Sequence, residues 1–256
     1  MYMSLKHWDL IKHLALREIR ARYKQSFLGF FWVILNPFFQ MLIMSAVFSQ
    51  IIRVEDLGVP YPIYLYAGLL PWIFLSNSLS NGVTILVDNA PLLKKIYFPR
   101  EIFVLSVLVA KAFDFFLAAL IFVLLMIWFH VPLQWHMLLF FPIFIIQFIF
   151  VFGLTLLLSA LNLFYRDVQF LFNLILTLWF YVTPVIYAVE FFPESYRWFF
   201  KLNPMSVFIN AYREVLLSNG SLNGGSIVLG IVFSLAMFVI SYRIFKKLEG
   251  MFADVV

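Results

Sequence analysis

Long apolar stretches dominate this chain and constrain its fold more than any other feature. Six can be recognised, separated by short polar or basic segments, and they cover approximately residues 30–52, 63–87, 102–130, 137–161, 168–189 and 226–245. A helix needs about 20 apolar residues to cross the hydrocarbon layer of a bilayer. The residue-by-residue alternation of a membrane β-barrel is missing from these stretches. They therefore predict an all-α integral membrane protein with six transmembrane helices.

The amino-acid composition supports the same class. Hydrophobic residues make up 64% of the chain and charged residues only 12%, whereas about a quarter of the residues in a typical soluble domain are charged. There is no cysteine, which excludes disulfides and thiolate metal sites. The first 26 residues are charged throughout and lack the short apolar core of a secretory signal. We expect the whole chain to act in or at the bilayer.

Basic residues are distributed unequally between the two sides of the predicted topology. Six spans place both termini on one side, and that side holds thirteen lysines and arginines: Lys6, Lys12, Arg17, Arg20, Arg22, Lys24, Lys94, Lys95, Arg100, Arg166, Arg243, Lys246 and Lys247. The other side holds four, which are Arg53, Arg197, Lys201 and Arg213. Because cytoplasmic loops carry an excess of positive charge, this asymmetry predicts that both termini are cytoplasmic.

The chain is expected to form one transmembrane domain with three additions to its six spans. Residues 1–26 predict an amphipathic interface helix, because apolar side chains recur at spacings of three and four between basic ones. That helix is either an anchor on anionic lipid or a platform for a negatively charged lipid-linked substrate. Between spans one to five (30–189) and span six (226–245), residues 190–225 predict two short external helices, re-entrant or interfacial. Residues 246–256 form a cytoplasmic tail.

The segment NAPLLKKIYFPREI, residues 89–102, is a compact charged interruption between the second and third spans. Pro91 suits the first turn of a helix and Pro99 ends it, so a helix of about eight residues is predicted. Its apolar residues share one side, with Lys94 and Lys95 beside them. Such a helix either floats on the headgroups or fits a groove in a cytoplasmic partner.

Two charges lie within the third apolar stretch. Lys111 and Asp114 are three residues apart and share a helix face, so they are expected to pair. An unpaired charge near the middle of a bilayer costs on the order of 3 kcal/mol or more. The pair is therefore interpreted as an intramembrane ion pair or as snorkelling side chains, with a role in transport as the alternative.

Four sequence blocks together resemble one family. ARYKQSFLGFFWVILNP (residues 21–37) is similar to the N-terminal signature of type-2 ABC transporter permeases that export polysaccharides. IYFPREIFVLS (96–106) resembles the coupling region of that family, LNLFYRDVQ (161–169) its second cytoplasmic loop, and YVTPVIY (181–187) its fifth span. The blocks occur in the family's order, and the resemblance covers essentially the whole chain.

The resemblance implies a transporter subunit rather than an enzyme, located in a bacterial inner membrane. Two copies of the chain would form the pathway, with two separate ATP-binding cassette subunits that hold ATP and Mg²⁺. The cargo would be a lipid-linked polysaccharide on a polyprenyl diphosphate, and no nucleic acid partner is implied. The residues implied to contact the ATPase are Asn89, Pro91, Leu92, Leu93, Lys94, Lys95, Ile96, Tyr97, Pro99, Arg100, Tyr165, Arg166 and Asp167.

Residue chemistry agrees with this assignment. The chain contains no G-x-x-x-x-G-K-[ST] phosphate-binding loop, so we expect no nucleotide cofactor on it. Basic side chains suited to meet a diphosphate cluster before the first span, namely Arg20, Arg22 and Lys24. Aromatic rings stack on the apolar faces of sugars, and the channel-lining candidates are Trp32, Tyr66, Trp72, Trp179, Tyr181 and Tyr187. Interface belts and lipid-facing helices explain such aromatic residues equally well.

Other cargoes and other classes of function have different sequence requirements. Teichoic acid or capsule polymers are alternative cargoes. A membrane enzyme would need a carboxylate pair, a metal cluster or an accessible histidine base, and the four histidines show no metal-binding spacing. A self-contained channel or secondary transporter would need an ion or substrate site of its own, for which Lys111 and Asp114 are the intramembrane candidates.

Overall fold

The computed structural model describes residues 5–23, 29–49, 58–95, 98–217 and 224–255. Within these ranges the chain is helical, with short 3-10 turns and no strand. The helices are α1 (Leu5–Tyr23), α2 (Trp32–Phe48), α3 (Tyr61–Gly82), α4 (Ile85–Asp88), α5 (Ala90–Lys95), α6 (Glu101–Trp128), α7 (Phe140–Phe164), α8 (Val168–Val182), α9 (Glu194–Leu202), α10 (Pro204–Leu217), α11 (Gly224–Glu249) and α12 (Phe252–Val255). The predicted all-α class is confirmed.

Three helices of the described chain are long and apolar enough to cross a membrane. They are α6, α7 with the 3-10 turn that precedes it, and α11. Helices α2 and α8 are apolar but shorter, with 17 and 15 residues. Helix α3 has 22 residues and carries five serine and asparagine side chains in its second half. Each of the six predicted spans thus contains a helix, although the bounds differ.

Helix α3 forms the centre of the bundle. It packs against α6, α10, α2 and α7, and most of its side chains are buried. Helices α7 and α11 form another closely packed pair and run parallel, since Ile146 contacts Ser234 and, further along both helices, Phe152 packs against Phe238. A Cβ atom at Gly153 would lie 2.7 Å from the Cα of Phe238 on α11. A glycine here permits close backbone approach, as is common where membrane helices pack.

The fifth predicted span is shorter than expected. We predicted residues 168–189, but α8 ends at Val182 and Thr183 has an extended backbone. Pro184 follows, and the residue before a proline is sterically disfavoured in a helical conformation. Residues 183–188 therefore continue without a helix, and their carbonyl groups need partners from elsewhere in the fold.

The N-terminal helix is docked on the bundle. Helix α1 packs against α6 and buries Ile11, Leu14 and Ala15. Trp8 is exposed. The apolar face predicted from spacing is therefore covered by protein at Ile11 and Ala15, which ties α1 to the bundle through α6.

Candidate functional site

A large cavity opens between four helices of the bundle. It has a volume of about 880 Å³, and residues from α2, α3, α6 and α8 line it. These are the two shorter apolar helices, the central helix and the longest one. The cavity lies along the helices and combines aromatic, polar and charged side chains.

Three of the six aromatic residues predicted to line a channel line this cavity. They are Trp32, Trp72 and Tyr181. Trp72 packs edge-on against Trp179 with ring centroids 5.9 Å apart. Trp32 and Tyr181 are exposed and offer accessible ring faces, a surface on which a sugar ring can stack.

The other three predicted aromatic residues lie elsewhere. Tyr66 is fully buried and its hydroxyl donates to the carbonyl of Ala118 over 3.1 Å. Trp179 lies behind Trp72, and its indole N–H donates to Oδ1 of Asn203 at 2.9 Å. The Tyr187 hydroxyl donates to the carbonyl of Tyr181 at 3.0 Å. In this structure these side chains hold the wall together and do not line the cavity.

Polar side chains that sequence reasoning did not select also line the cavity. They carry amide or hydroxyl groups and come from α2, α3 and α8: Asn36, Gln40, Asn77, Ser80, Asn173 and Thr177. The Ser80 hydroxyl donates to Oδ1 of Asn173 at 3.3 Å, which joins two walls. The available signal was the presence of amides inside apolar stretches, where polar groups usually face other protein or a water-filled space.

The predicted intramembrane pair lies in the cavity wall. Nζ of Lys111 is 3.8 Å from Oδ2 of Asp114, and their side chains are 5% and 13% exposed. Both residues line the cavity. Opposite charges in contact within a buried site reduce the cost of keeping either one ionised.

The segment predicted to contact an ATPase forms a short helix at one end of the bundle. Asn89 starts α5, because its carbonyl accepts from the amides of Leu92 and Leu93. Leu93 is buried and Pro91 exposed. The predicted length was about eight residues and α5 has six. Ile96, Tyr97 and the side chains of Lys94 and Lys95 lie outside the described part, while Pro99 and Arg100 are partly exposed where α6 begins.

The second predicted contact loop lies between α7 and α8. Tyr165, Arg166 and Asp167 are exposed, and Asp167 immediately precedes α8. Oδ1 of Asn162 accepts the backbone N–H of Gln169 at 3.1 Å and closes the turn. Helix α12 contacts both α5 and α7, so this loop and α5 belong to the same end of the bundle.

The predicted diphosphate site is described only in part. Arg20 is exposed near the end of α1, whereas the side chain of Arg22 and all of Lys24 lie outside the described residues. No group of three or more acidic or histidine side chains that could hold a metal ion occurs in the described ranges.

The opposite end of the bundle is organised around one arginine. Arg213 of α10 is 6% exposed, and its guanidinium donates to the carbonyls of Pro184 and Val185 at 2.7 and 2.6 Å. It also lies 3.7 Å from the ring centroid of Tyr64. The Tyr61 hydroxyl donates to the carbonyl of Ile186 at 2.9 Å. These groups satisfy the non-helical segment after α8, as buried backbone requires.

A family profile and several named proteins match most of this chain. The profile of the ABC-2 type transporter family matches residues 9–217. An O-antigen export system permease protein RfbA of Klebsiella pneumoniae is 32% identical over 97% of this chain and 95% of its own length. The RfbA of Myxococcus xanthus is 38% identical over 80% of this chain and 79% of its own. The polysialic acid transport protein KpsM of Escherichia coli is 22% identical over 93% of each chain.

The family match and the apolar helices lead to one conclusion. All four sequence blocks fall within residues 9–217, which the family profile matches. The predicted resemblance to type-2 ABC permeases is confirmed. The chain is a multi-pass membrane protein that belongs to the ABC-2 type transporter family.

Proposed function

We propose that this chain is the membrane subunit of an ATP-driven exporter that moves a polyprenyl-diphosphate-linked, O-antigen-like polysaccharide from the cytoplasm across the inner membrane. The observation that carries the proposal is the similarity to O-antigen export permeases over nearly the whole chain. Capsule or teichoic acid polymers are the alternative cargoes, and KpsM, at lower identity, is named for polysialic acid transport.

The cavity has the chemistry that a moving polysaccharide requires. Exposed rings at Trp32 and Tyr181 suit the apolar faces of sugars. Amides such as Asn36, Asn77 and Asn173 both donate and accept hydrogen bonds, as sugar hydroxyls do. Several weak contacts of this kind hold a polymer without trapping it. This supports a pathway along α2, α3, α6 and α8.

The proposed topology has six crossings, made by α2, α3, α6, α7, α8 and α11, with both termini in the cytoplasm. Helix α8 is shorter than a full crossing of about 20 residues, and residues 183–188 extend it with carbonyl groups satisfied by Arg213 and Tyr61. Helices α9 and α10 lie at the external mouth. A second copy of the chain completes the pathway across the exposed faces of α2 and α8.

A separate ATPase drives the exporter in this proposal. Two ATP-binding cassette subunits dock beneath α5 and the loop of Tyr165, Arg166 and Asp167, and they carry the ATP and Mg²⁺. The chain itself has no phosphate-binding loop motif. Proximity of the two contacts to α12 supports a common docking face at this end.

Reversing the charges of Lys94 and Lys95 tests the docking assignment. We expect Lys94→Glu with Lys95→Glu to weaken binding of the ATPase subunit by about tenfold or more, because two favourable charge interactions become repulsive. The matched control reverses two exposed lysines outside α5, Lys12→Glu with Lys247→Glu. Co-purification in mild detergent and ATP hydrolysis measure the effect. Unchanged binding and export in the α5 variant would show that α5 is not the docking helix.

A second experiment separates a motor-driven exporter from a secondary transporter. The native complex is purified and its subunits identified by mass, and surface polysaccharide is followed in cells with a defective ATPase. We expect a stoichiometric ATPase partner and loss of export without ATP hydrolysis. Export that persists without ATP but fails in Lys111→Ala would instead favour ion-coupled transport through the Lys111–Asp114 pair.

A further inference from the structure

The loop that contains α5 is attached to both terminal regions of the chain. Its first residue, Asn89, is bonded to the N-terminal helix α1, and Arg100, at its other end, is bonded to the end of α11. These attachments are additional to the covalent connections with α3, α4 and α6. We call Arg17, Asn89, Arg100, Glu249 and Phe252 the coupling-loop clamp.

The N-terminal attachment is a specific hydrogen bond. Nη2 of Arg17 donates to Oδ1 of Asn89 at 2.7 Å. Nδ2 of the same Asn89 amide donates to the carbonyl of Ile85 at 2.9 Å. Asn89 is buried, and its backbone carbonyl begins α5. Both halves of the side chain are therefore used, and α1 is joined to the residue from which α5 projects.

Helix α1, which carries Arg17, is packed against the bundle. Three apolar residues of α1, Ile11, Leu14 and Ala15, are buried where α1 packs against α6. A movement of α5 that shifts Asn89 must either break the bond to Arg17 or move α1 with it. A charge-assisted hydrogen bond of this length is among the stronger contacts available for such transmission.

The C-terminal attachment combines a polar network with a buried ring. The guanidinium of Arg100 donates to the carbonyl of Glu249, and its backbone N–H donates to Oε1 of Glu249 at 3.3 Å. Nζ of Lys246 binds both Oε2 of Glu249 at 2.8 Å and Oε2 of Glu101 at 3.0 Å. The end of α11 is thus fixed to the start of α6.

Phe252 completes this attachment. Its ring is fully buried and packs against Phe245 and Phe164 at centroid distances of 5.3 and 6.0 Å. The Arg100 guanidinium carbon lies 5.6 Å from the same ring centroid, and α12 also contacts α5. The residues after α11 therefore pack directly beside the coupling loop.

We propose that Arg17 and Glu249 are positioning residues, which hold the two ends of the coupling loop so that a displacement of α5 by the ATPase also moves α1 and α11. This inference rests on the proposed function, because it assumes that α5 receives the motion. Arg17 and Glu249 themselves lie outside the residues proposed to contact the ATPase. The clamp determines how many helices of the permease follow when α5 moves.

The test compares hydrolysis with export in the full complex. We expect Arg17→Ala to leave ATPase binding and ATP hydrolysis within about twofold of wild type, while surface polysaccharide falls about tenfold, the effect expected for one charge-assisted hydrogen bond. Glu249→Ala is expected to act in the same direction. Arg17→Lys retains a cationic donor and should recover part of the export.

Controls separate coupling from folding. Lys12→Ala removes an exposed charge from the same helix as Arg17, and Lys247→Ala removes one beside Glu249; both should leave the ratio of ATP hydrolysed to polysaccharide exported unchanged. Asn89→Ala removes the bond to Arg17 and also the bond to the carbonyl of Ile85. Adding Arg17→Ala to Asn89→Ala should therefore cause little further loss of export, because the bond to Arg17 is already absent. Thermal unfolding of each purified variant checks that the bundle is intact.

The outcomes distinguish a failure of this inference from a failure of the proposed function. If the Lys94→Glu, Lys95→Glu variant loses the ATPase while Arg17→Ala and Glu249→Ala keep a normal ratio of hydrolysis to export, the clamp is wrong and α5 docking stands. If the α5 variant keeps both docking and export, the proposed docking site itself fails. Loss of export in proportion to protein amount in the clamp variants would show a purely structural role and would overturn the inference.

Discussion

The two ends of the bundle are held by arginines in contrasting ways. At the end proposed to be external, Arg213 is buried and donates to backbone carbonyls of the non-helical segment after α8. At the opposite end, which holds α5 and is proposed to be the coupling end, Arg17 is half exposed, with 47% of its side-chain surface accessible, and it binds the amide of Asn89 and the neighbouring carboxylate of Glu18. The neighbouring pair of Lys246 and Glu101 is also accessible on its lysine side, at 34% against 4%.

This difference in burial indicates that the two arginines have different roles. A buried guanidinium that satisfies several carbonyls cannot leave without stranding them, so the external contact is part of the fold. A partly exposed guanidinium that binds one buried amide leaves only that acceptor unpaired when it is removed, so its loss costs less stability although the bond itself is charge-assisted. Substitutions at the external end are therefore expected mainly to lower stability. Substitutions at the coupling end are expected mainly to alter the transmission of movement.

Removing the external arginine should have the largest effect on stability. Arg213→Ala is expected to lower the free energy of unfolding by about 3 to 6 kcal/mol, the loss of two charge-assisted hydrogen bonds. Arg213→Lys keeps the charge but not the planar fork, so we expect only partial recovery. Denaturant unfolding in mild detergent measures both variants. If Arg213→Ala unfolded like wild type, the contrast between the two ends would be lost.

A methyl group placed against the same arginine should have an intermediate effect. A Cβ at Gly68 would lie 2.7 Å from Nη2 of Arg213 and 3.0 Å from the carbonyl oxygen of Val185. Overpacking of this kind costs about 1 to 3 kcal/mol. Gly250→Ala is the matched control at the coupling end, where nothing lies within 4 Å of the added Cβ. The midpoint of unfolding should fall for Gly68→Ala and stay unchanged for Gly250→Ala.

Removing the lysine at the coupling end should have a smaller effect on stability than removing Arg213. Lys246→Ala is expected to cost about 1 to 3 kcal/mol, because it leaves the buried Glu101 carboxylate without its cation, although Glu101 lies in the first turn of α6 and the helix N-terminus still favours its charge. The contribution of Lys246 should decrease as salt is added, since its ammonium group is accessible to ions. The contribution of Arg213 should not decrease with salt, because its guanidinium is buried. Unfolding curves at low and high salt compare the two, and equal salt dependence would contradict the proposed difference in burial.

Sequence reasoning was most successful where a local pattern carries the information. The six apolar stretches and the NAPLLKK segment each contain a helix in the structure, and the family resemblance was confirmed by the match over residues 9–217. It was weaker for the cavity lining: Trp32, Trp72 and Tyr181 line the cavity, whereas Tyr66, Trp179 and Tyr187 do not. Aromatic residues are suited to both places, so residue type alone does not distinguish them.

Apolar length and charge distribution along the chain determined the helical membrane class, since both act within short segments and need no knowledge of neighbours. Tertiary structure decided which face of each helix meets the cavity, because packing sets the rotation of a helix about its axis. It also decided the contacts that join distant segments. Arg17 and Asn89 are 72 positions apart, and Arg100 and Glu249 are 149 apart. Only packing of the bundle brings such pairs within hydrogen-bonding distance.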